Sequence, residues 1–307
     1  MTKYRHIFAL TWLAVLSLVL IELECFAQQM PQYTQYLLNS YVINPATAGS
    51  QPYFEGKLNH REQWLGITDA PRTNIISVNG PLMDNLGVGG YVFTDINGPT
   101  RQLGVSLSGA YHLKLNSEMT LAMGLYGSLL QFVIDGAKIS TVPTNDPVLS
   151  NGVQSSLIPD AGVSGYFYTE KYFAGVSLAQ LTHTKIKYKE INANTTGRLT
   201  GHYFVMGGYN YDINDDFLLQ PSVLVKYVNP VPVQAEITAK CVYKEQVSAA
   251  LSYRTSDALG LILGYTFENH LSVGYSYDIL VSNLRNYSSG SHEIMMSVRF
   301  KDKSIEE

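Results

Sequence analysis

Residues able to do acid–base, nucleophilic or metal chemistry are present in this sequence, but their spacing does not gather them. The seven histidines are scattered, without the close His/Cys/Asp/Glu spacing that a metal site needs. His202 and His270 would offer a base to one of the many serines. Yet no Gly-x-Ser-x-Gly turn presents a nucleophile, and no spacing singles out a triad. His60, His112, His183, His202 and His292 read as ordinary polar strand or loop residues. No catalytic, cofactor or metal set is assigned, and no small-molecule substrate is expected. What remains is charge: His112, Lys114, Lys226, Glu236, Lys240, Arg254, Asp278 and Arg299 alternate with apolar neighbours and would share one face of a sheet. Mixed signs in a narrow interior point to ion pairs that brace it, with a charge-selective pore as the alternative. Lys185, Lys187 and Lys189 read as a solvated loop, and Asn194-Thr195-Thr196 fits a glycosylation pattern too common by chance to carry weight.

Two segments are more specific than any of these. The first runs Pro31-Gln32-Tyr33-Thr34-Gln35-Tyr36-Leu37-Leu38-Asn39 and leads into Ile43-Asn44-Pro45-Ala46-Thr47-Ala48-Gly49. Asn44 precedes a proline and must be extended, and Gly49 permits a tight reversal. The second is His60-Arg61-Glu62-Gln63-Trp64, followed by Ala70-Pro71-Arg72-Thr73. It would put Arg61 and Trp64 at the outer rim of a first strand, with a Pro71 turn into the next. Barrel building accounts for Trp64 and Pro71 but not for the first segment.

The elements that position these residues follow from a period of two. Leu103, Val105, Leu107, Gly109, Tyr111, Leu113 and Leu115 alternate with Gly104, Ser106, Ser108, Ala110, His112 and Lys114, so one face is apolar and the other small or polar. The pattern returns over 233–241, 271–279 and 294–300. Such stretches are about ten residues long, matching a tilted bilayer crossing rather than a soluble strand. About fourteen are counted, near 53–64, 73–80, 86–94, 101–115, 118–133, 157–168, 171–180, 199–211, 216–228, 232–243, 246–255, 258–267, 269–280 and 291–301. Tight links such as Lys244-Glu245 and Glu268-Asn269 alternate with longer ones, above all 134–156 and 181–198, as short periplasmic turns alternate with external loops. The start carries Lys3 and Arg5, an apolar run from Ile7 to Ile21 and a small-residue site at Ala27, the layout of a secretory signal peptide. Without Cys25, only Cys241 is left, so no internal disulfide is expected. Tyrosine stands at 22 against 11 phenylalanines, charged residues are only 15%, and the net charge is -4. Tyrosine is what membrane interfaces enrich, and the charge excludes a nucleic-acid footprint. The expectation is an all-β protein: a transmembrane antiparallel β-barrel of about 14 strands in the outer membrane, with both termini periplasmic. Residues 1–27 are a signal peptide, 28–52 a periplasmic or plug segment, and 53–307 the barrel.

At the two motif segments the sequence resembles the PorP/SprF family of type IX secretion-system membrane proteins. Gln28-Gln29, Pro31 to Asn39, Asn44 to Gly49, Arg61 to Trp64 and Pro71 to Thr73 carry the resemblance, and His292-Glu293-Ile294 opens the last strand as in that family. Gln29-Met30-Pro31 departs from it where many members have Asp before Pro. The resemblance implies an outer-membrane component without enzymatic activity that supports export or surface attachment of cargo, in some members gliding adhesins. Its partners would be secretion components, the exported cargo and outer-membrane lipid. Gln32, Tyr36, Asn39, Asn44, Pro45, Gly49, Arg61, Gln63, Trp64, Pro71 and Thr73 are the expected partner or structural motif. A general diffusion porin is the alternative, and residues 28–52 discriminate, because a simple porin needs no such segment.

Overall fold

The structure is a computed structural model and describes residues 30, 32–139, 152–188 and 197–300. The expected signal peptide, Pro31, Lys189 and the Asn194-Thr195-Thr196 pattern lie outside the described residues. Fourteen strands run β1 (Phe54–Glu62), β2 (Arg72–Met83), β3 (Leu86–Asn97), β4 (Thr100–Lys114), β5 (Thr120–Asp135), β6 (Val153–Tyr168) and β7 (Tyr172–Ala179). The next, β8, is interrupted at Asn210 and comprises His202–Tyr209 and Tyr211–Asn214. There follow β9 (Phe217–Val228), β10 (Val231–Tyr243), β11 (Val247–Arg254), β12 (Ala258–Phe267), β13 (Leu271–Leu280) and β14 (Ser291–Phe300). Each strand pairs antiparallel with the next, and β14 returns to β1 with Phe54 opposite Phe300 and Glu62 opposite His292. The sheet is therefore closed, and every strand has a neighbour on both sides, the arrangement that satisfies backbone groups in hydrocarbon.

Alternation decides what each face meets. On β4, Val105, Leu107, Tyr111 and Leu113 are exposed on the outside, while Ser106, Ala110 and His112 are buried within. Outward Tyr203, Tyr227 and Tyr253 gather near one end of the barrel, and Tyr111, Tyr172, Tyr211, Phe217, Tyr243 and Tyr265 near the other. Amphipathic rings at two levels are the interfacial girdles of an outer-membrane barrel. Tyr166 and Tyr168 are not among them. Both share the face of buried Ser164 and turn inward, where the Tyr168 hydroxyl lies 3.0 Å from His112 Nδ1. Cys241 is half-buried on the outward row.

The end carrying the links at 84–85, 115–119, 169–171, 215–216, 244–246 and 268–270 is here termed the turn end, and the opposite one the loop end. Length does not separate the two completely, because the loop end also holds the tight links 98–99, 229–230 and 255–257. From Met30 to Tyr53 the chain runs inside the barrel along its axis. Met30 N donates to His202 Nε2 at 3.0 Å, at the loop end, and the segment leaves at the turn end into β1. Met30 and Phe300, the first and last described residues, lie at opposite ends of the barrel. The outward face yields a depth-dependent prediction. Leu107→Arg, at the middle of β4, should lower unfolding free energy in lipid vesicles by about 2–4 kcal/mol, and Leu115→Arg near the girdle by no more than about 1 kcal/mol. Guanidinium titration followed by tryptophan emission measures both.

A lumen-threaded segment and its buried ion network

The N-terminal segment is held by the barrel wall on every side. Its central feature is Thr34. The Thr34 hydroxyl accepts from Arg61 Nη1 at 2.6 Å and from Arg254 Nη2 at 3.1 Å, and it donates to Asp278 Oδ2 at 2.7 Å. Its backbone N–H donates to Glu293 Oε2 at 2.9 Å. Both arginines reach carboxylates directly: Arg61 meets Asp278 at 2.8 Å and Glu293 at 3.3 Å. Arg254 meets Glu236 at 2.9 Å, Asp257 at 3.0 Å and Asp278 at 3.3 Å. Four acids thus face two arginines, and neutral donors meet the excess: Asn59 Nδ2 on Glu293 at 3.3 Å and Gln32 Nε2 on Asp257 at 3.1 Å. Buried charge is tolerated only when paired and hydrogen-bonded in this way. The arrangement is a brace across the interior.

Below this network Tyr36, Asn39 and Tyr41 dock on the small polar residues of the inner face. The Tyr36 hydroxyl sits 3.3 Å from Ser222 Oγ and 3.4 Å from Thr238 Oγ1. Tyr41 meets Ser108 Oγ at 2.7 Å, and Asn39 Nδ2 donates to Asn59 Oδ1 at 2.9 Å and Ser77 Oγ at 3.2 Å.

The Asn44-Pro45 motif makes a capped turn. Asn44 is extended and accepts from Ala46 N at 3.0 Å through Oδ1, Pro45 occupies the first helical position of a single 3-10 turn (Pro45–Thr47), and Asn44 Nδ2 donates to the Gly165 carbonyl at 3.1 Å. This is the preferred chemistry of a helical N-terminus. Gly49 follows at φ 78, and a Cβ there would stand 2.6 Å from Gly87 Cα. A Cβ on Gly87 would stand 1.9 Å from the Ala48 carbonyl oxygen, and one on Gly124 2.7 Å from Ala46 N. Here segment and wall touch backbone to backbone, which only glycine allows. His112 Nε2–H donates to that Ala48 carbonyl at 2.7 Å, which leaves Nδ1 to accept from Tyr168 and fixes the tautomer.

The segment divides the interior. A cavity of about 570 Å³ opens at the turn end, lined by Ser50, Lys57, Tyr168, Gln220, Lys240 and Arg299. A second, of about 460 Å³, lies at the loop end, lined by Gln32, Gln63, Trp64, Pro71, Arg101 and Tyr188. No residue lines both. Two sets of sequence-predicted residues are thereby separated. Gln32, Tyr36, Asn39, Asn44, Pro45 and Gly49 belong to the threaded segment. Gln63, Trp64 and Pro71 form the loop-end rim, where Gln63 N donates to the Pro71 carbonyl at 2.9 Å and Trp64 adopts left-handed backbone at φ 50. Thr73 is buried between them and donates to Asp95 Oδ1 at 2.5 Å. Arg61 belongs with the first set and is a correction: it sits 2% exposed inside the barrel, because it shares the inward face with Asn59, not at the outer rim. Of the expected lumen charges, Glu236, Arg254 and Asp278 join the network and His112 the turn. Lys226, Lys240 and Arg299 line the interior half-buried, and Lys114 is exposed at the turn end. Sequence reasoning missed Thr34, Tyr41 and Glu293 as wall-to-segment contacts. Glu293 was legible from its alternation with outward Ile294. Among the described residues no group of His, Cys, Asp and Glu is placed to hold a metal ion.

Two predictions follow from this packing. Arg61→Ala leaves Asp278 and Glu293 buried with one guanidinium fewer and should cost about 3–5 kcal/mol, read as a lowered melting transition in detergent. In a Cys241→Ala background, Gly87→Val should leave the barrel folded by its heat-dependent gel mobility. Ala48→Cys, inert to maleimide without it, should then react.

No curated protein matches the chain. Among solved structures, the CymD monoaromatic hydrocarbon channel aligns at 12% identity and a TM-score of 0.49, covering 85% of this chain and 91% of that one. The Pseudomonas putida toluene transporter TodX aligns at 10% identity and a TM-score of 0.46, covering 85% and 92%. The Acinetobacter baumannii outer membrane protein Omp33 aligns at 9% identity and 0.44, covering 81% and 97%. Likenesses at TM-scores below 0.5 carry no argument about this chain. The family model described as type IX secretion system membrane protein PorP/SprF matches residues 25–298, which takes in the threaded segment, the ion network and nearly the whole barrel. The chain therefore belongs to the PorP/SprF family of outer-membrane barrels of the type IX secretion system.

Proposed function

We propose that this barrel acts without enzymatic chemistry, supporting secretion or surface attachment of cargo proteins, including adhesins of the gliding type. In this reading the loop end faces outward and receives the C-terminal domain of a cargo protein. The turn end meets periplasmic components of the secretion system, and the girdles meet outer-membrane lipid. The observation that carries the reading is the threaded segment. A diffusion channel has no use for two arginines, four carboxylates and a backbone-to-backbone contact that fix a segment within its lumen. A scaffold that must stay sealed while partners engage either end does. The Gln63, Trp64 and Pro71 rim supports the outward contact, since a bulky residue held at positive φ marks a site where local strain is kept for a purpose.

The porin alternative makes the opposite demand, an open path from end to end. In planar bilayers the intact protein should be silent, and deletion of residues 32–49 should open steady ion conductance. The same deletion should remove cargo from the cell surface while barrel levels hold. Steady conductance by the intact protein, with cargo unaffected by the deletion, would transfer the assignment to a porin.

A further inference from the structure

Charge at the turn end does not balance as it does around Thr34. The cavity of about 570 Å³ there is bounded by Glu55 and Lys57 of β1, Lys240 of β10 and Arg299 of β14. Among the described residues three cations thus face one carboxylate in this interior, and Glu245 stands exposed on the turn beyond them. Glu55 is already committed. It lies 2.7 Å from Lys57 and 4.0 Å from Arg299, and it accepts from the Ser297 hydroxyl at 2.7 Å. Lys57 also donates to the Leu38 carbonyl. Lys240 has no ion pair and no hydrogen bond among the described residues. Lys57 and Arg299 repel it, and Glu55 attracts it. Arg299 lies over the Tyr53 ring at 4.7 Å, and its Nε is buried without a hydrogen bond.

The wall between Lys240 and Arg299 is kept low. The strands β11, β12 and β13 separate them and present Ser248, Gly264 and Ser272 to the cavity. A Cβ on Gly264 would stand 2.5 Å from Ser248 Oγ, so the hydroxyl fills the space that a larger residue would take. Neighbouring strands lie about 4.8 Å apart, which sets the backbones carrying the two cations well apart. Phosphate sites gather several donors on one point. Cations spread along a wall suit separate carboxylates instead, and Glu55 between Lys57 and Arg299 is an example within the wall itself. A cleft with an excess of one sign concentrates counter-ions, and a charge without a partner gains from binding one. Lipid head groups have no route in, because the strands from β9 through β14 to β1 are paired without a gap.

We propose that the turn-end cavity binds a ligand carrying two or more carboxylates, taken up from the water at that end, with one carboxylate on Lys240 and another on Arg299. Charge-assisted hydrogen bonds supply the affinity, and the Ser248 hydroxyl offers a further donor between them. The volume suits a small polycarboxylate or the side chains of a short acidic peptide, and the recognition chemistry is the same for both. This site does not depend on the secretion role proposed above.

Calorimetric titration of the full chain in zwitterionic detergent at low salt tests the site with two probes, citrate and a triglutamate peptide blocked at both ends. At least one should bind, and the tighter of the two names the source, a free polycarboxylate or an acidic protein segment. Lys240→Gln and Arg299→Gln should each weaken binding roughly tenfold, a loss of about 1.4 kcal/mol, while heat-dependent gel mobility shows the barrel folded. Lys240→Met, which keeps the apolar stem, substitutes for a glutamine variant that does not fold. Lys114→Gln removes an exposed charge at the same end but outside the cavity and should leave binding unchanged. Inorganic phosphate should compete poorly, and competition equal to that of the probes overturns the carboxylate assignment. Binding of neither probe, or binding that Lys114→Gln weakens as much as Lys240→Gln does, overturns the site. Binding gained only when the chain is cut after Phe300 also overturns it, because Asp302, Glu306 and Glu307 would then be competing for the same cations.

Discussion

Arg61 and Arg254 come from β1 and β11, strands far apart in sequence, and neither can lose its charge. Once inside the barrel each must find carboxylates and donors that make up for lost water, and the cost of failing is several kcal/mol per ion. The wall supplies Glu236, Asp257, Asp278 and Glu293, an excess of acids that the arginines alone do not balance. Thr34 completes the set with a hydroxyl used to its full capacity and a backbone N–H on Glu293. The threaded segment is thus a structural part of the wall's electrostatics. Its position and the separation of the two cavities follow from this demand for satisfied charge.

Charge is also sorted along the barrel axis. The acid-rich network lies toward the loop end. Toward the turn end Lys57, Lys240 and Arg299 stand around Glu55, with Lys57 2.7 Å from Glu55 and its ammonium on the Leu38 carbonyl. The segment between them is mainly neutral and aromatic, with hydroxyls and amides fitted to serines and threonines of the wall. An interior that must hold an aromatic segment needs a small inner face, which is why inward positions are so often serine, glycine or alanine.

Much of this was legible in the sequence, for reasons that differ by element. The strands announced themselves because a barrel between lipid and a packed lumen imposes the strictest alternation, as over 103–115. Fourteen strands and nearly all turn positions followed. The inward side of Tyr166 and Tyr168 is not legible in the sequence, because an aromatic at a strand end suits a girdle and a lumen equally. Arg61 was misplaced because the adjacent Trp64 does sit at the rim, and only the count of alternation from Asn59 puts the arginine inside. The motif segment stood out as unexplained by barrel building, yet its path through the lumen was not readable. Its partners lie up to 259 residues away, as Glu293 does from Thr34, and no local pattern encodes such contacts.

The junction of β1 with β14 is where the ring shuts, and both strands contribute to the same network, Arg61 from one and Glu293 from the other. Before that junction forms, each of these charges stands without its partner and Thr34 has no shared pocket to enter. Shutting the ring and seating the threaded segment therefore draw on the same set of charges. A sheet closed without that segment would leave Asp278 and Glu293 short of the two donors that Thr34 supplies.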